Sequence, residues 1–256
     1  MDLRYGENPD QDATFHFNRE EISWKQLGGK KLSYNNFFDI ESAISIIEEF
    51  EEKCCTIIKH SNPCGFAIGG DFLHCFKKAV LSDPISFFGG IVGFNGTIDL
   101  ELSDKLISPF LECIVCRSID NDALDVLSKK KNLRIITYVK DKIADKYLVR
   151  SVMGGFLYQT KNSNNIDMRN WKVVTKKKPT KYQQKAMEIG WKLVKYIKSN
   201  GISISNQNQL LGVGAGQMSR IDSTEIAINK AKKNGLKLNG AVMASDAFFP
   251  FPDCIQ

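Results

Sequence analysis

Histidine is scarce in this chain: three occur in 256 residues, at positions 16, 60 and 74. Few imidazoles are therefore on hand for proton transfer near neutral pH or for metal ligation. No apolar stretch approaches the roughly 20 residues that span a bilayer, and the opening Met1-Asp2-Leu3-Arg4 lacks the apolar run of a signal peptide. The seven cysteines are an odd count without the spacing of a secreted disulfide framework, so a reducing cytoplasm is the expected compartment. Cys113-Ile114-Val115-Cys116 has metal-like spacing, yet Ile-Val favours a strand, where residues three apart face opposite ways. No second pair or neighbouring histidine completes a set, and zinc is not expected. A P-loop ending and a convincing dinucleotide fingerprint are both missing, which sets aside NTP and NAD. No Pro/Gly/Ser-rich linker or low-complexity tract interrupts the chain.

What is present is ordinary for a globular protein: 43% hydrophobic and 25% charged residues, enough to form a core. The net charge of +6 favours phosphate-bearing ligands. Lys129-Lys130-Lys131 and Lys176-Lys177-Lys178 have no interleaved aromatics to stack bases, so they read as solvated faces, and no nucleic-acid partner is expected.

Helix and strand patterns alternate through the first part. Ile40, Ala43, Ile44, Ile47 and Phe50 share one face of a helix beginning near Phe37, and Thr56–Lys59 is a strand. A helical face at Phe72, Phe76, Ala79 and Val80 follows, then strands at Gly90–Phe94, Glu112–Cys116 and Leu133–Val139 with helices between them. After the charged stretch Lys140–Lys146 come a strand pair within Tyr147–Tyr158 broken at Gly154-Gly155, a strand at Trp171–Thr175 and a helix at Tyr182–Ser199. A hairpin at Ile202–Ser205 and Leu210–Val213, a helix at Ser223–Lys233 and a strand at Ala241–Ser245 complete the pattern. The alternation predicts an α/β layered fold with two parts, residues 1–145 and 146–256.

The most informative segment is Lys59-His60-Ser61-Asn62-Pro63-Cys64-Gly65, directly after the apolar run Cys54–Ile58. It places two proton carriers at the carboxyl end of a strand and predicts a turn at Asn-Pro and Gly; open α/β sheets gather their chemistry at that end. Four further stretches stand out: Leu3-Arg4-Tyr5-Gly6-Glu7-Asn8-Pro9; Asp83-Pro84-Ile85-Ser86 with Phe88-Gly89-Gly90; Gly212 to Arg220; and Ser245 to Phe251. Gly212–Gly216 has the look of a phosphate cradle.

These five ordered motifs resemble the AICAR transformylase region of the bifunctional purine biosynthesis family, from residue 3 to residue 253. The resemblance implies two cytidine deaminase-like α/β subdomains, the second truncated, and a homodimer with its active site at the interface. It implies formyl transfer from 10-formyltetrahydrofolate to the 5-amino group of AICAR in IMP synthesis, with no membrane partner. The zinc-deaminase signature is absent, since Pro63-Cys64 is followed by Gly-Phe-Ala. By the resemblance His60 is the base, Lys59 the acid or oxyanion stabiliser, and Asn200 holds the formyl group. Asn200 also reads locally as a helix stop, in Ser199-Asn200-Gly201. Arg4 and Tyr5 match the pair that meets the nucleotide, and Phe88, Gly89, Glu112, Phe248 and Asp253 complete the substrate set. Phe249 and Phe251 are expected in the core. The family's cyclohydrolase domain and carboxyl-terminal segment have no counterpart here, so weak nucleotide binding is expected of this chain. An inactive or split-gene remnant that only binds nucleotide or dimerises is the alternative. Asp10, Phe87, Cys116-Arg117 and Pro252 depart from the family's usual residues.

Overall fold

The computed structural model describes residues 1–17, 22–140, 147–162 and 170–254, the side chain of Asp253 excepted. The first ten elements are β1 (Trp24–Gly28), α1 (Tyr34–Ile47), β2 (Cys54–Lys59), β3 (Asn62–Ile68), α2 (Phe72–Ser82), β4 (Ile91–Ile98), α3 (Leu100–Leu106), β5 (Cys113–Ile119), α4 (Asn121–Ser128) and β6 (Arg134–Tyr138). Their strands form one mixed sheet in the order β1-β6-β5-β4-β2-β3. β4, β5 and β6 run parallel, while β1, β2 and β3 are joined antiparallel to their neighbours.

Side-chain alternation explains why the central strands read as unbroken apolar runs. In β2, Cys54 and Ile58 enter the core shared with α1, whereas Cys55 and Ile57 enter the core under α2, α3 and α4. Cys113 and Cys116 divide between the two cores in the same way. Phe66 and Phe94 are fully buried, one in each core, and such burial is worth about 1.5–3 kcal/mol per side chain. α1 approaches closely because Gly93 lies beneath it, where a Cβ would come within 3.2 Å of the Ala43 methyl. A capping box between Ser33 and Asn36 starts α1, and Asp71 and Asp99 cap α2 and α3.

The remaining elements are β7 (Tyr147–Val152), β8 (Gly155–Thr160), α5 (Lys181–Val194), β9 (Ile202–Ser205), β10 (Leu210–Gly214), α6 (Arg220–Lys233) and β11 (Val242–Ser245). β7 and β8 form a hairpin whose every residue is exposed. β10, β9 and β11 form a second, antiparallel sheet. α6 covers one face over Ile202, Ile204 and Leu211. α5 packs on β9 and β11 and also sends Ile189 and Leu193 into the core beside α1. The two sheets meet edge to edge: Ala67 bridges Gln209, and the Ile68 N–H donates to the Asn208 carbonyl at 2.9 Å. The end of α2 is tied to the second sheet by Ser82 Oγ donating to the Leu210 carbonyl at 2.5 Å and by the Lys230–Asp83 ion pair at 2.7 Å.

The molecule is thus an α/β protein with helices on both faces of its sheets. Three local expectations differ from it. Trp171–Thr175 forms no strand. α5 ends at Val194 rather than Ser199, so Asn200 lies in the loop before β9 and stops no helix. Residues 62–65 are strand, and the turn falls on His60-Ser61 instead. Among the described residues no helix is long and apolar enough to cross a membrane.

Candidate functional site

Lys59 and Asn62 are paired across β2 and β3, which leaves His60 and Ser61 as a two-residue turn. Both have positive φ, 50° and 60°. A tight hairpin of this kind demands φ > 0 at both central positions and favours Asn-Gly. Neither residue here is glycine, and an L-residue in the left-handed region costs about 1–2 kcal/mol. Hydrogen bonds offset that strain. The Ser61 N–H donates to Asp39 Oδ1 at 2.6 Å, Ser61 Oγ to the same oxygen at 3.3 Å, and Asn62 Nδ2 to the His60 carbonyl at 2.9 Å. Burial pushes the Asp39 carboxyl above its ordinary value, a rise only partly offset by the Ser61 hydrogen bonds and the neighbouring His60.

Because β2 runs antiparallel to β4, its carboxyl end lies at the amino ends of β4, β5 and β6. The expected placement at the carboxyl edge of a parallel sheet therefore applies to β2 alone. At this edge Lys59 Nζ donates to the Phe88 carbonyl at 2.8 Å. Phe88 is 62% exposed and its ring lies 5.1 Å from that of Phe110. Gly89 has φ 65°, a conformation that favours glycine, and a Cβ there would sit tightly, 3.1 Å from the Phe110 ring and 3.3 Å from Lys59 Nζ. The Glu112 N–H donates to the Gly90 carbonyl at 3.1 Å, and its carboxylate accepts from Arg134 at 2.7 Å. Arg134 also donates through Nε and Nη2 to the Lys31 carbonyl, at 3.2 and 3.0 Å. One residue on, the Leu32 carbonyl accepts from the Arg4 N–H at 3.1 Å, and the Arg4 guanidinium lies 5.3 Å from the Tyr5 ring centre. A continuous line of contacts thus runs from Arg4 and Tyr5 through Arg134 and Glu112 to Gly89, Phe88 and Lys59.

On the other side of Lys59 lies a cleft of about 310 Å³ between the two sheets, lined by Lys59, Asn62, Cys64, Asp83, Ser86, Gln217 and Lys230 among others. Segments of three of the five motifs meet there. Burial drives the Cys64 thiol up to about 12, so it is not a thiolate at neutral pH. Burial also raises the Asp83 carboxyl, but hydrogen bonds from Lys230 and Ser86 outweigh it and leave the group below its ordinary value. A larger groove, about 550 Å³, lies between the amino-terminal segment and α1, but its walls are mainly apolar, including Phe15, Trp24 and Phe37. The cleft, with its cations and carboxylate, is the better match to polar chemistry.

Asn200 does not line the cleft but holds Gln217, which does. Its Nδ2 donates to the Gln217 and Met218 carbonyls, each at 3.0 Å, and its Oδ1 accepts from Arg220 at 2.9 Å. Arg220 also donates to Ser245 Oγ at 2.8 Å and pairs with Asp246. Burial raises the Asp246 carboxyl, but hydrogen bonds from Ser199 and Arg220 bring it below its ordinary value. Two residues on, Phe248 is 81% exposed. Asp253 sits in the short helical turn Pro252–Cys254, with its side chain outside the described residues.

Two sequence readings are corrected here. Gly212 and Gly214 belong to β10, and a Cβ at either would overlap a backbone carbonyl oxygen of α6, that of Ala227 or Ser223. They serve close strand–helix packing rather than a phosphate cradle. Phe249 packs on the α6 core as expected, but Phe251 is 66% exposed. Asp39 and Arg134 escaped the sequence reading altogether. The first is one polar residue on a helix, and the second is a lone charge at the head of an apolar strand; neither carries a local signal of its role.

The molecule is thus an α/β protein whose polar cleft holds two ammonium groups, one carboxylate and an un-ionised thiol, with an imidazole next to Lys59 on the exposed turn outside the cleft lining. Comparison with known proteins is specific. Residues 1–230 match the family model described as the AICARFT/IMPCHase bienzyme, and the chain belongs to that family. It is similar to the bifunctional purine biosynthesis protein PurH of Desulfitobacterium hafniense, 43% identical over 262 residues that cover 100% of this chain and 50% of the relative. Against PurH of Thermoanaerobacter the identity is 43% over 260 residues, again 100% of this chain and 50% of the relative. Against PurH of Prochlorococcus marinus it is 45% over 269 residues, 99% and 51%. The chain spans about half the length of these curated relatives.

Proposed function

We propose that this chain acts in purine biosynthesis and transfers the formyl group of 10-formyltetrahydrofolate to the 5-amino group of AICAR. The observation that carries this reading is the contact of Lys59 with the Phe88-Gly89 loop, next to His60 in the chain, within the stretch that matches the family. The acceptor amine is a poor nucleophile because its lone pair is delocalised into the imidazole ring. A base must remove its proton as the C–N bond forms, and an acid must protonate the departing folate nitrogen. His60 serves as the base, and Lys59, held at the Phe88 carbonyl, as the acid or the partner of the oxyanion. Each such role is typically worth about 10²–10⁴ in rate.

Arg4 offers its fork of donors to the nucleotide phosphate beside Tyr5, and Glu112 faces the AICAR head group. Phe88, Gly89, Phe248 and Asp253 complete the substrate walls, and Asn200 holds the formyl group. The transfer uses no zinc, and the compartment is the cytoplasm. Residues 1–145 and 146–256 form the two transformylase subdomains, and the active site is shared in a homodimer. The exposed β7–β8 hairpin supports that last point: by its register, Val149, Phe156 and Tyr158 share one face and are 55%, 66% and 68% exposed.

Single-turnover assays with AICAR and 10-formyltetrahydrofolate, followed by folate absorbance, test the reading. His60→Ala should slow transfer at least about 100-fold and leave AICAR affinity within a few-fold of the parent. Near-normal turnover by that variant would exclude His60 as the base.

A further inference from the structure

We propose that Asp39 is the positioning residue for His60: by accepting both hydrogen bonds of Ser61 it fixes the turn on which the imidazole is presented. The role rests on the reading of His60 as the base. The inference starts from the backbone. His60 and Ser61 both occupy the left-handed region, and neither has the glycine freedom that such a turn normally recruits. Intrinsic preference would relax this turn and carry the ring with it. A strained backbone persists where its surroundings over-determine it. Here the over-determining group comes from another element, since Asp39 reaches across from α1 to the Ser61 N–H at 2.6 Å and to Ser61 Oγ at 3.3 Å.

The helix is a firm base for that contact. Ile40, Ala43 and Ile44, next to Asp39 in sequence or one turn along the helix, are buried, and the capping box fixes its start. Asp39 thus works from a rigid scaffold on a turn that has little rigidity of its own. His60 is exposed while Asp39 is half-buried, so the imidazole stays free for substrate while its tether is sheltered. The Asp39 carboxylate also neighbours His60 itself, but the hydrogen bonds by which it holds the turn run to Ser61.

The test compares Asp39→Ala with Asp39→Asn in the full chain. The asparagine oxygen can still accept from Ser61, so the two variants separate the hydrogen bond from the charge. Asp39→Ala should lower kcat about 10- to 100-fold, the usual penalty for a misplaced catalytic group, with the KM for AICAR unchanged. Asp39→Asn should stay within about threefold of the parent. A second readout is independent of turnover. With three histidines in the chain, ¹⁵N-histidine labelling resolves each ring. Asp39→Ala should move or broaden the His60 signals and leave those of His16 and His74 in place. In the parent protein the Ser61 amide should exchange at least about 100-fold more slowly than in an unstructured chain. Unaltered His60 signals in Asp39→Ala, an unprotected Ser61 amide, or equal impairment of both variants would overturn the proposal. Retained turnover in His60→Ala would instead sink the base assignment, and the ring signals and amide exchange would still decide the role of Asp39.

Discussion

Arg134 donates to Glu112 across 2.7 Å while itself being only 2% exposed. The guanidinium is held by that carboxylate and by the Lys31 carbonyl, so a buried charge is fully engaged. Arg134→Met would leave the Lys31 carbonyl without its two donors and Glu112 without its partner. Stability should fall by about 2–4 kcal/mol, read as a lower urea midpoint. Glu112→Gln keeps an acceptor for Arg134 and should cost less stability. Under the proposed function it should still weaken AICAR binding at least about tenfold, because a charge-assisted bond becomes a neutral one. Calorimetric titration separates the two effects.

Gly212→Ala and Gly214→Ala test packing against phosphate binding. Each new methyl would press on the backbone of α6, and overpacking of this kind costs about 1–3 kcal/mol. Melting temperatures should drop in both variants. Where the fold survives, AICAR affinity should change less than for Arg4→Ala.

Acid should destabilise the fold partly through Glu48. Burial raises this carboxyl, but hydrogen bonds from Arg117, at 2.9 and 2.7 Å, and from Tyr138 outweigh it and hold the group below its ordinary value near 4.5. The folded state then binds the proton less readily than the unfolded chain. Its contribution is present above about pH 4.5 and is lost as pH falls through the lower, folded value. Glu48→Gln should be less stable by about 1–2 kcal/mol at neutral pH. Its thermal midpoint should then decline less between about pH 5 and 3 than that of the parent. Parallel melts of the two proteins at closely spaced pH values would reveal the difference. The same contact gives Arg117 its role: it serves as the partner of Glu48 at the end of α1.

Under the proposed function, Phe156→Ser with Tyr158→Ser should weaken the homodimer at least about tenfold, since two aromatic anchors leave the exposed hairpin face. Far-ultraviolet circular dichroism should be unchanged, because both side chains are exposed and support no core. Sedimentation at micromolar concentration would report a shift to monomer. A dimer of undiminished affinity would show that the hairpin is not its interface.

Sequence patterns revealed most of the layered core and little of the turn that carries its chemistry. The faces of α1 and α2 were legible because their apolar residues recur at helical spacing and are buried on one side. β3 was missed because Asn62-Pro63 reads as a turn. Pro63 is tolerated because β3 ends its sheet and the pairing register slips beside it. The true turn, His60-Ser61, lacks glycine, and its stability comes from Asp39, 21 and 22 residues earlier in the chain; no local pattern records such a contact. Trp171–Thr175 has strand-like composition, yet among the described residues no strand pairs with it and its propensity finds no partner. The motifs marked Lys59 and Gly89, and the resemblance marked Asn200, but not that Asn200 would spend both amide protons on the Gln217 and Met218 carbonyls.

The junction of Ala67 with Gln209 has a consequence for how the chain keeps to itself. β3 closes one sheet and β10 the other, and each would present a row of unpaired backbone groups if it stood alone. Where they meet, at Ala67–Gln209 and Ile68–Asn208, they close that end of both edges to foreign strands, and the end of α2 bolts the seam. Exposed edges of this sort recruit other chains into fibrils and clumps. A proteolytic nick in the stretch between β8 and α5 should therefore be harmless while the halves stay joined. Expressed apart, each half would carry a raw edge and precipitate, and mixing the two during refolding should rescue both.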